Sequence, residues 1–178
     1  MRWDEIGKQT CSVARALSVV GERWTLLILR DAFLGTRRFE QFQHHLGITR
    51  HRLSERLVKL VEHGVLVKVP YQDRPVRYDY RLTRKGLALY PVLMSLGRWG
   101  DEWMEGGEGV PLTYVHHNCG NPTQAAITCS ECGEALRPQE VETTVGPALE
   151  DLAAQMENEG LKDVDFQTLL SHSAAPKT

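Results

Sequence analysis

Four histidine and cysteine residues late in the chain have the spacing of metal ligands. The segment HHNCGNPTQAAITCSECGEAL contains His116-x-x-Cys119 and Cys129-x-x-Cys132, and a glycine directly follows each pair. Two residues between ligands let one tight turn direct both donor atoms at a tetrahedral centre, and glycine permits the backbone of that turn. The pattern therefore predicts a Cys₃His zinc site in a small zinc-ribbon-like hairpin.

The zinc is expected to be structural, because four protein ligands leave no coordination position for a substrate. His117 is an alternative ligand to His116, with a tighter spacing. Nine residues separate the two pairs, which is shorter than the usual interval. Two other interpretations therefore stay open: a ribbon that folds without metal, and a redox-active pair formed by Cys129 and Cys132.

A second segment, TRHRLSERLVKLVEHG at residues 49–64, combines positive charge with a regular apolar pattern. We predict an amphipathic helix that Thr49 caps and Gly64 ends. The apolar positions have the spacing of one buried helical face, and they are Leu53, Leu57, Leu60 and Val61. The opposite, charged face is expected to look outward.

Such a charged face is either a solvated helix surface or a surface that contacts phosphate. The flanking sequence decides between these two interpretations in favour of phosphate contact. RRFEQFQHHLG predicts a preceding helix that ends at Gly47, and VGERWTLLILRDAFLG predicts a buried helix from about residue 24 to 33. GVLVKVPYQDRPVRYDYRL predicts a two-stranded hairpin with a turn at QDRP.

Three helices followed by a hairpin make a winged helix-turn-helix arrangement, in a chain that is mainly α (α+β). The major groove, about 12 Å wide, admits one helix, and the hairpin beside it can reach the flanking groove or backbone. Double-stranded DNA is thus the expected partner. The candidate DNA-binding residues are Thr49, Arg50, His51, Arg52, Glu55, Arg56 and Lys59 on the helix, with Arg74 and Arg77 on the wing.

The distribution of charge agrees with this prediction. The whole chain of 178 residues has a net charge of −2, but residues 49–85 contain ten Lys/Arg against four Asp/Glu, whereas residues 101–178 contain three against fourteen. No secretory leader or run of about 18 apolar residues appears, so we expect a cytoplasmic protein without a membrane partner. The sequence contains no nucleophile–base set, phosphate-binding loop or pair of carboxylates, so we do not expect an enzyme.

Several segments together resemble the HxlR family of bacterial transcriptional regulators, which is similar in architecture to MarR-type repressors. The resemblance spans about Cys11 to Trp103. The segments that carry it are CSVARALSVVGERWTLLILRD, RRFEQFQ, LSERLVKLVEHGVL, YRLTRKGLALYPVL and WGDEW.

The resemblance implies a homodimer that binds inverted-repeat operators and dimerises through its first helix and the long helix after the wing. Here that long helix is predicted from Thr83 to about Met104, with a break at Pro91. Its partner-facing or core-facing residues are Leu89, Leu93, Leu96, Trp99 and Trp103. Cys11 matches a position that senses oxidants or electrophiles in several family members, so the resemblance implies a redox sensor and an oxidant or small-molecule effector. The alternative is that Cys11 is an inert packing residue at the start of a helix.

We accordingly divide the chain into a winged helix-turn-helix domain with its flanking dimerisation helix (1–105), a zinc-ribbon-like segment (106–145), and an acidic helix with a loose tail (146–178). The leading hypothesis is a homodimeric DNA-binding regulator, most simply a repressor, with residues 49–63 in the major groove and the 70–78 wing on the flanking groove. The alternatives are a thiol-redox protein that uses Cys129 and Cys132, and a winged-helix module for protein contacts.

Overall fold

The computed structural model describes residues 3–104, 107, 109–158 and 165–171. A 3₁₀ helix over Trp3–Lys8 precedes α1 (Ser12–Val20), α2 (Arg23–Phe33), α3 (Phe39–Leu46), α4 (Arg50–Glu62), β1 (Leu66–Asp73), β2 (Val76–Leu82), α5 (Arg84–Leu87), α6 (Tyr90–Trp103), β3 (Tyr114–Val115), β4 (Pro122–Thr123), a 3₁₀ turn (Pro138–Glu140), α7 (Pro147–Asn158) and α8 (Phe166–Ser171). Within these described ranges, no helix combines the length and apolar character needed to cross a bilayer.

The principal core lies where α2, α3 and α4 meet the start of β1. Its largest side chains are almost completely buried, and they are Ile28, Leu29, Phe42, Leu53, Leu57, Leu60, Val65 and Leu66. The three buried leucines of α4 are those that the apolar pattern predicted. Between α3 and α4, Gly47 adopts a left-handed conformation with φ of +61°, which lets the chain turn sharply before α4 begins.

The wing is the antiparallel hairpin of β1 and β2, which pair from Leu66 opposite Leu82 to Asp73 opposite Val76. The segment before α3 pairs with the outer side of β2. The Tyr80 N–H donates to the Arg37 carbonyl at 2.7 Å, and Arg38 forms an antiparallel β-bridge with Asp79. Helices α2 to α4 followed by this hairpin confirm the predicted winged helix-turn-helix fold.

After the wing, the chain forms two helical segments, as predicted from its glycines and prolines. Thr83 caps α5, and its hydroxyl accepts a hydrogen bond from the Gly86 N–H at 3.1 Å. Helix α6 then starts at Tyr90, with Pro91 in its first turn, where the missing N–H costs no helical hydrogen bond.

The described residues of the C-terminal part form two small hairpin elements, a 3₁₀ turn and two helices. Helix α7 is the predicted acidic helix, and with α8 it encloses a small core of Leu149, Met156 and Leu169. Helix α8 also contacts the N-terminal part, because the Cys11 N–H donates to the Leu170 carbonyl at 3.3 Å. The predicted loose tail lies outside the described residues, apart from Ser171 at the end of α8.

Candidate nucleic-acid interface

Helix α4 is held in place by its buried leucines, and its start is fixed by backbone geometry. Thr49 occupies the N-cap position with an extended backbone, but its side chain makes no capping hydrogen bond. The predicted side-chain cap is therefore wrong in detail, and the Thr49 hydroxyl is left available at the surface. At the other end, Gly64 has φ of +66°, and this left-handed residue turns the chain toward β1.

The outward face of α4 carries the predicted polar residues. Thr49, Arg50, His51, Arg52, Glu55 and Lys59 are exposed, and Arg56 is half-buried at the edge of the face. His51 Nδ1 lies 3.6 Å from the Glu55 carboxylate, one helical turn away. The Arg50 guanidinium lies 4.8 Å from the centre of the Phe39 ring, so this contact ties the first turn of α4 to α3.

The wing carries its two predicted arginines at exposed positions. Arg74 forms the turn between β1 and β2, where its carbonyl accepts a hydrogen bond from the Gln72 side-chain amide at 3.0 Å. Arg77 lies near the start of β2, opposite Gln72 in the hairpin register. Both guanidinium groups are thus placed at the distal end of the hairpin, away from the core.

Among the described residues, carboxylates of this domain pair with some of its cations and leave others without a partner. Arg30, Arg38 and Arg81 lie within 4 Å of the carboxylates of Asp31 or Asp79. In the part of the chain that the structure describes, no ion pair joins a carboxylate to Arg52, Arg56, Lys59, Arg74 or Arg77. These five residues of α4 and the wing are therefore free to pair with an external anion.

Arg38 is a positioning residue that sequence analysis missed. Its guanidinium stacks over the Tyr71 ring at 4.5 Å from the ring centre, and its Nε lies 3.8 Å from Asp79 Oδ1. These contacts reach both strands of the wing from the N-cap position of α3. Arg38 thus helps to fix the wing relative to the helix-turn-helix. The only local signal was the basic pair Arg37–Arg38, which did not reveal a partner forty residues away.

The predicted metal ligands form two separate pairs. His116 Nδ1 lies 3.4 Å from Cys119 Sγ. The amide N–H groups of Cys132 and Glu131 donate to the Cys129 thiol and lower its pKa, and the Cys132 side chain adds to the effect. Among the described residues, no three His, Cys, Asp or Glu side chains are grouped closely enough to hold a metal ion. The zinc site therefore stays a prediction, as do its two alternatives.

Cys11 occupies the N-cap position of α1 and is partly buried. Its thiol forms no disulfide with another described residue. Because its backbone N–H is bonded to α8, the C-terminal helix lies beside the position that the family resemblance associates with sensing. The sensor role of Cys11 is not tested by this geometry and stays a prediction.

Comparison with known proteins identifies the family of this fold. Residues 19–108 match the HxlR-like helix-turn-helix family. The chain is 48% identical over 136 residues to Rv3095 of Mycobacterium tuberculosis, an HTH-type transcriptional regulator, in an alignment covering 76% of this chain and 86% of Rv3095. It is 31% identical over 107 residues to the HTH-type transcriptional regulator YodB of Bacillus subtilis, covering 59% of this chain and 96% of YodB.

Solved structures give the same result. PA1607, described as a candidate transcription factor, superimposes with a TM-score of 0.69 at 36% identity, over 77% of this chain and 96% of its own. PA1374 of Pseudomonas aeruginosa, described in the same way, gives a TM-score of 0.55 at 36% identity, over 78% and 94%. With the winged fold and its unpaired basic face, these matches make the chain a member of the HxlR-like helix-turn-helix family of transcriptional regulators.

Proposed function

We propose that the protein is a homodimeric repressor that recognises an inverted-repeat operator. In this proposal residues 49–63 enter the major groove, and the 70–78 wing contacts the flanking groove. The observation that carries the proposal is that five cations of α4 and the wing have no carboxylate partner among the described residues. Such cations replace condensed counterions on DNA phosphates, and the release of these counterions supplies a large part of the free energy of DNA binding.

The residues of the face divide into two roles by their place on α4. Arg50 and Arg52 lie in the first turn, which is the end of a recognition helix that reaches base edges. Arginine there can donate two hydrogen bonds to the O6 and N7 atoms of guanine. Arg56 and Lys59 lie one and two turns further on, at positions suited to phosphate contacts that set orientation without choosing a sequence.

Dimerisation is supported by an apolar surface on α6 that its own domain does not cover. No residue of α6 is buried. Four of its large apolar side chains are 48–68% exposed and share one face of the helix, and they are Val92, Leu96, Trp99 and Trp103. On α1, Val13 and Leu17 are also exposed, one turn apart. Large exposed apolar patches of this kind mark protein–protein interfaces. A twofold dimer then requires a twofold-symmetric operator.

A regulator of this kind acts on DNA in the bacterial cytoplasm and can respond to an effector. Two places support that finer proposal. One is Cys11, whose oxidation would change the start of α1, a helix of the proposed dimer interface. The other is a cleft of about 610 Å³ between α6 and the β3–β4 hairpin, lined among others by Arg98, Asp101 and Tyr114. This volume lies in the range of small-molecule sites.

The deciding experiment selects genomic DNA fragments that bind the full-length protein, and then measures affinity for the recovered sequence by mobility shift at several salt concentrations. We expect an inverted repeat, a protein dimer on each site, and a fall in affinity with salt that reflects several phosphate contacts, each contributing about −0.9 to the logarithmic slope. A protein-interaction module would bind DNA weakly and without sequence preference. A thiol-redox protein would instead show dithiol turnover that depends on Cys129 and Cys132.

A further inference from the structure

Two loops outside the winged domain share one backbone geometry. In knuckle 1, residues 116–121, the His116 N–H donates to the Asn121 carbonyl at 2.9 Å, and the Gly120 N–H donates to the His116 carbonyl at 2.8 Å. In knuckle 2, residues 129–134, Cys129 bonds in the same way to Glu134 at 2.8 Å, and Gly133 bonds to Cys129 at 2.9 Å. Both loops are thus closed by the same two hydrogen bonds, one that spans five residues and one that spans four.

The glycine in each knuckle has the backbone conformation that this turn needs. Gly120 has φ of +70° and Gly133 has φ of +78°, in the left-handed region that L side chains rarely adopt. Each glycine directly follows a cysteine, so the turn brings that cysteine back toward the first residue of its pair. Two separate segments of the chain therefore form the same turn, and each turn brings two side chains together.

The donor atoms within each knuckle are spaced for a shared ion. His116 Nδ1 and Cys119 Sγ lie 3.4 Å apart. A tetrahedral zinc ion, with bonds of about 2.3 Å to sulfur and about 2.0–2.1 Å to nitrogen, separates two such donors by about 3.6 Å. In knuckle 2, Cys129 and Cys132 occupy the positions in the turn that His116 and Cys119 occupy in knuckle 1.

The hairpins that carry the knuckles have almost no core of their own. Knuckle 1 is flanked by the two pairs of β3 and β4, and knuckle 2 by the bridge of Thr128 to Ala135 and the Leu136–Ile127 hydrogen bond. Yet Val115, Ile127 and Leu136 are 43–65% exposed. Short hairpins without a buried face are marginal in water, and small units of this kind need a disulfide or a metal.

We propose that knuckle 1 and knuckle 2 bind one zinc ion between them, through His116, Cys119, Cys129 and Cys132, and that this ion organises residues 114–136. Because the structure groups the donors as two pairs, binding one ion requires the two knuckles to approach each other. Metal binding and final ordering of the ribbon are then one coupled event. On binding, the three thiols release their protons to solvent, and His116 coordinates as a neutral imidazole.

The proposed ion also has a structural consequence for α6. The Arg98 side chain of α6 donates to the Ala125 carbonyl at 2.7 Å, in the segment that joins the two knuckles. Closing the hairpins on zinc would fix this segment and, through Arg98, brace the ribbon against the helix. The role is structural, because four protein ligands leave no coordination position open.

The test measures zinc by elemental analysis in full-length protein purified without chelator. We expect about one zinc per chain in the wild type, near-complete loss in Cys119→Ser and in Cys132→Ser, and retention in Cys11→Ser. Cys11→Ser is the matched control because it removes a thiol outside both knuckles. If loss of zinc makes these variants poorly soluble, cobalt titration of metal-stripped wild type provides a second readout, with tetrahedral cobalt bands saturating at one equivalent.

The two adjacent histidines offer a finer control. In competition with a chelator, His116→Ala should release zinc at lower chelator concentration than the wild type, whereas His117→Ala should behave as the wild type. Several outcomes overturn the proposal: metal-free protein with reduced thiols, a Cys129–Cys132 disulfide without zinc, half an equivalent of zinc per chain shared between two copies, or zinc that is lost from Cys132→Ser but kept in Cys119→Ser.

Discussion

A Cβ atom on Gly86 would overlap the backbone carbonyl oxygen of Val65, so α5 packs directly on the junction between α4 and the wing. The same oxygen accepts a hydrogen bond from the Thr83 N–H at 3.1 Å, which prevents it from moving away. The Leu82 side chain would also lie 3.0 Å from that Cβ atom. A glycine is therefore required at position 86 because the Val65 backbone leaves no room for a side chain, and not because of its φ angle, which other residues also adopt.

Replacing this glycine gives a prediction on stability. Gly86→Ala should destabilise the winged domain by about 1–3 kcal/mol, the usual cost of overpacking a core, because the Val65 carbonyl is held by its hydrogen bond from Thr83 and cannot retreat. Gly146→Ala is the control, since a Cβ atom there meets nothing within 4 Å. Urea unfolding followed by circular dichroism measures both. A Gly86→Ala variant as stable as the control would contradict this packing arrangement.

Two cations of α4 should affect DNA binding in different ways. Arg52→Ala removes a first-turn side chain with no ion pair among the described residues, and it should cost about 1–3 kcal/mol and relax sequence preference at one position. Lys59→Ala should weaken binding to all sequences alike and reduce the logarithmic salt slope by about 1. Affinity for the selected operator and for a shuffled duplex, at several salt concentrations, separates the two effects. Unchanged binding in both variants would mean that α4 does not enter the groove.

The wing should contribute through electrostatics. Arg74→Glu reverses the charge at an exposed hairpin turn, so it should lower operator affinity most strongly at low salt, where screening is weakest. Arg137→Glu applies the same change of net charge outside the winged domain, on a residue paired with Glu140, and should have little effect. If both reversals change affinity equally, the effect of Arg74 is one of net charge, and the wing does not contact DNA.

The helices and their buried faces were predictable because the signals are local. Leu53, Leu57 and Leu60 follow the helical repeat, and all three are buried. The Gly47 turn and the break at Pro91 also follow from the conformational limits of single residues. For this reason, the bounds of α4 and the division of the helix after the wing could be obtained without any knowledge of tertiary contacts.

Features that depend on distant contacts could not be predicted in this way. The sequence placed Leu89, Leu93, Leu96, Trp99 and Trp103 in one apolar set, but the structure divides the set. Leu89 and Leu93 pack against the core of their own domain, whereas the other three are exposed. The division arises because the first turn of α6 lies against α2, with the Tyr90 and Phe33 rings 5.0 Å apart, and the later turns extend beyond the domain.

That division yields a prediction on self-association. Trp99 and Trp103 are 55% and 68% exposed, and they lie one turn apart on the face of α6 that we propose as the dimer interface. Central tryptophans in interfaces commonly contribute about 2 kcal/mol or more, so Trp99→Glu should raise the dimer Kd by about 30-fold or more. The domain itself should remain folded, because neither side chain belongs to its core.

Sedimentation of wild type and variants over a range of concentrations measures this change, and circular dichroism verifies the fold. Val141→Glu is the matched control, since Val141 is 49% exposed but lies outside every helix. Loss of the dimer should also weaken binding to a complete inverted repeat much more than to a single half-site, because the second half-site no longer binds as part of the same molecule. A Trp99→Glu variant that stays dimeric would remove this face from the interface and leave α1 as the surface to test.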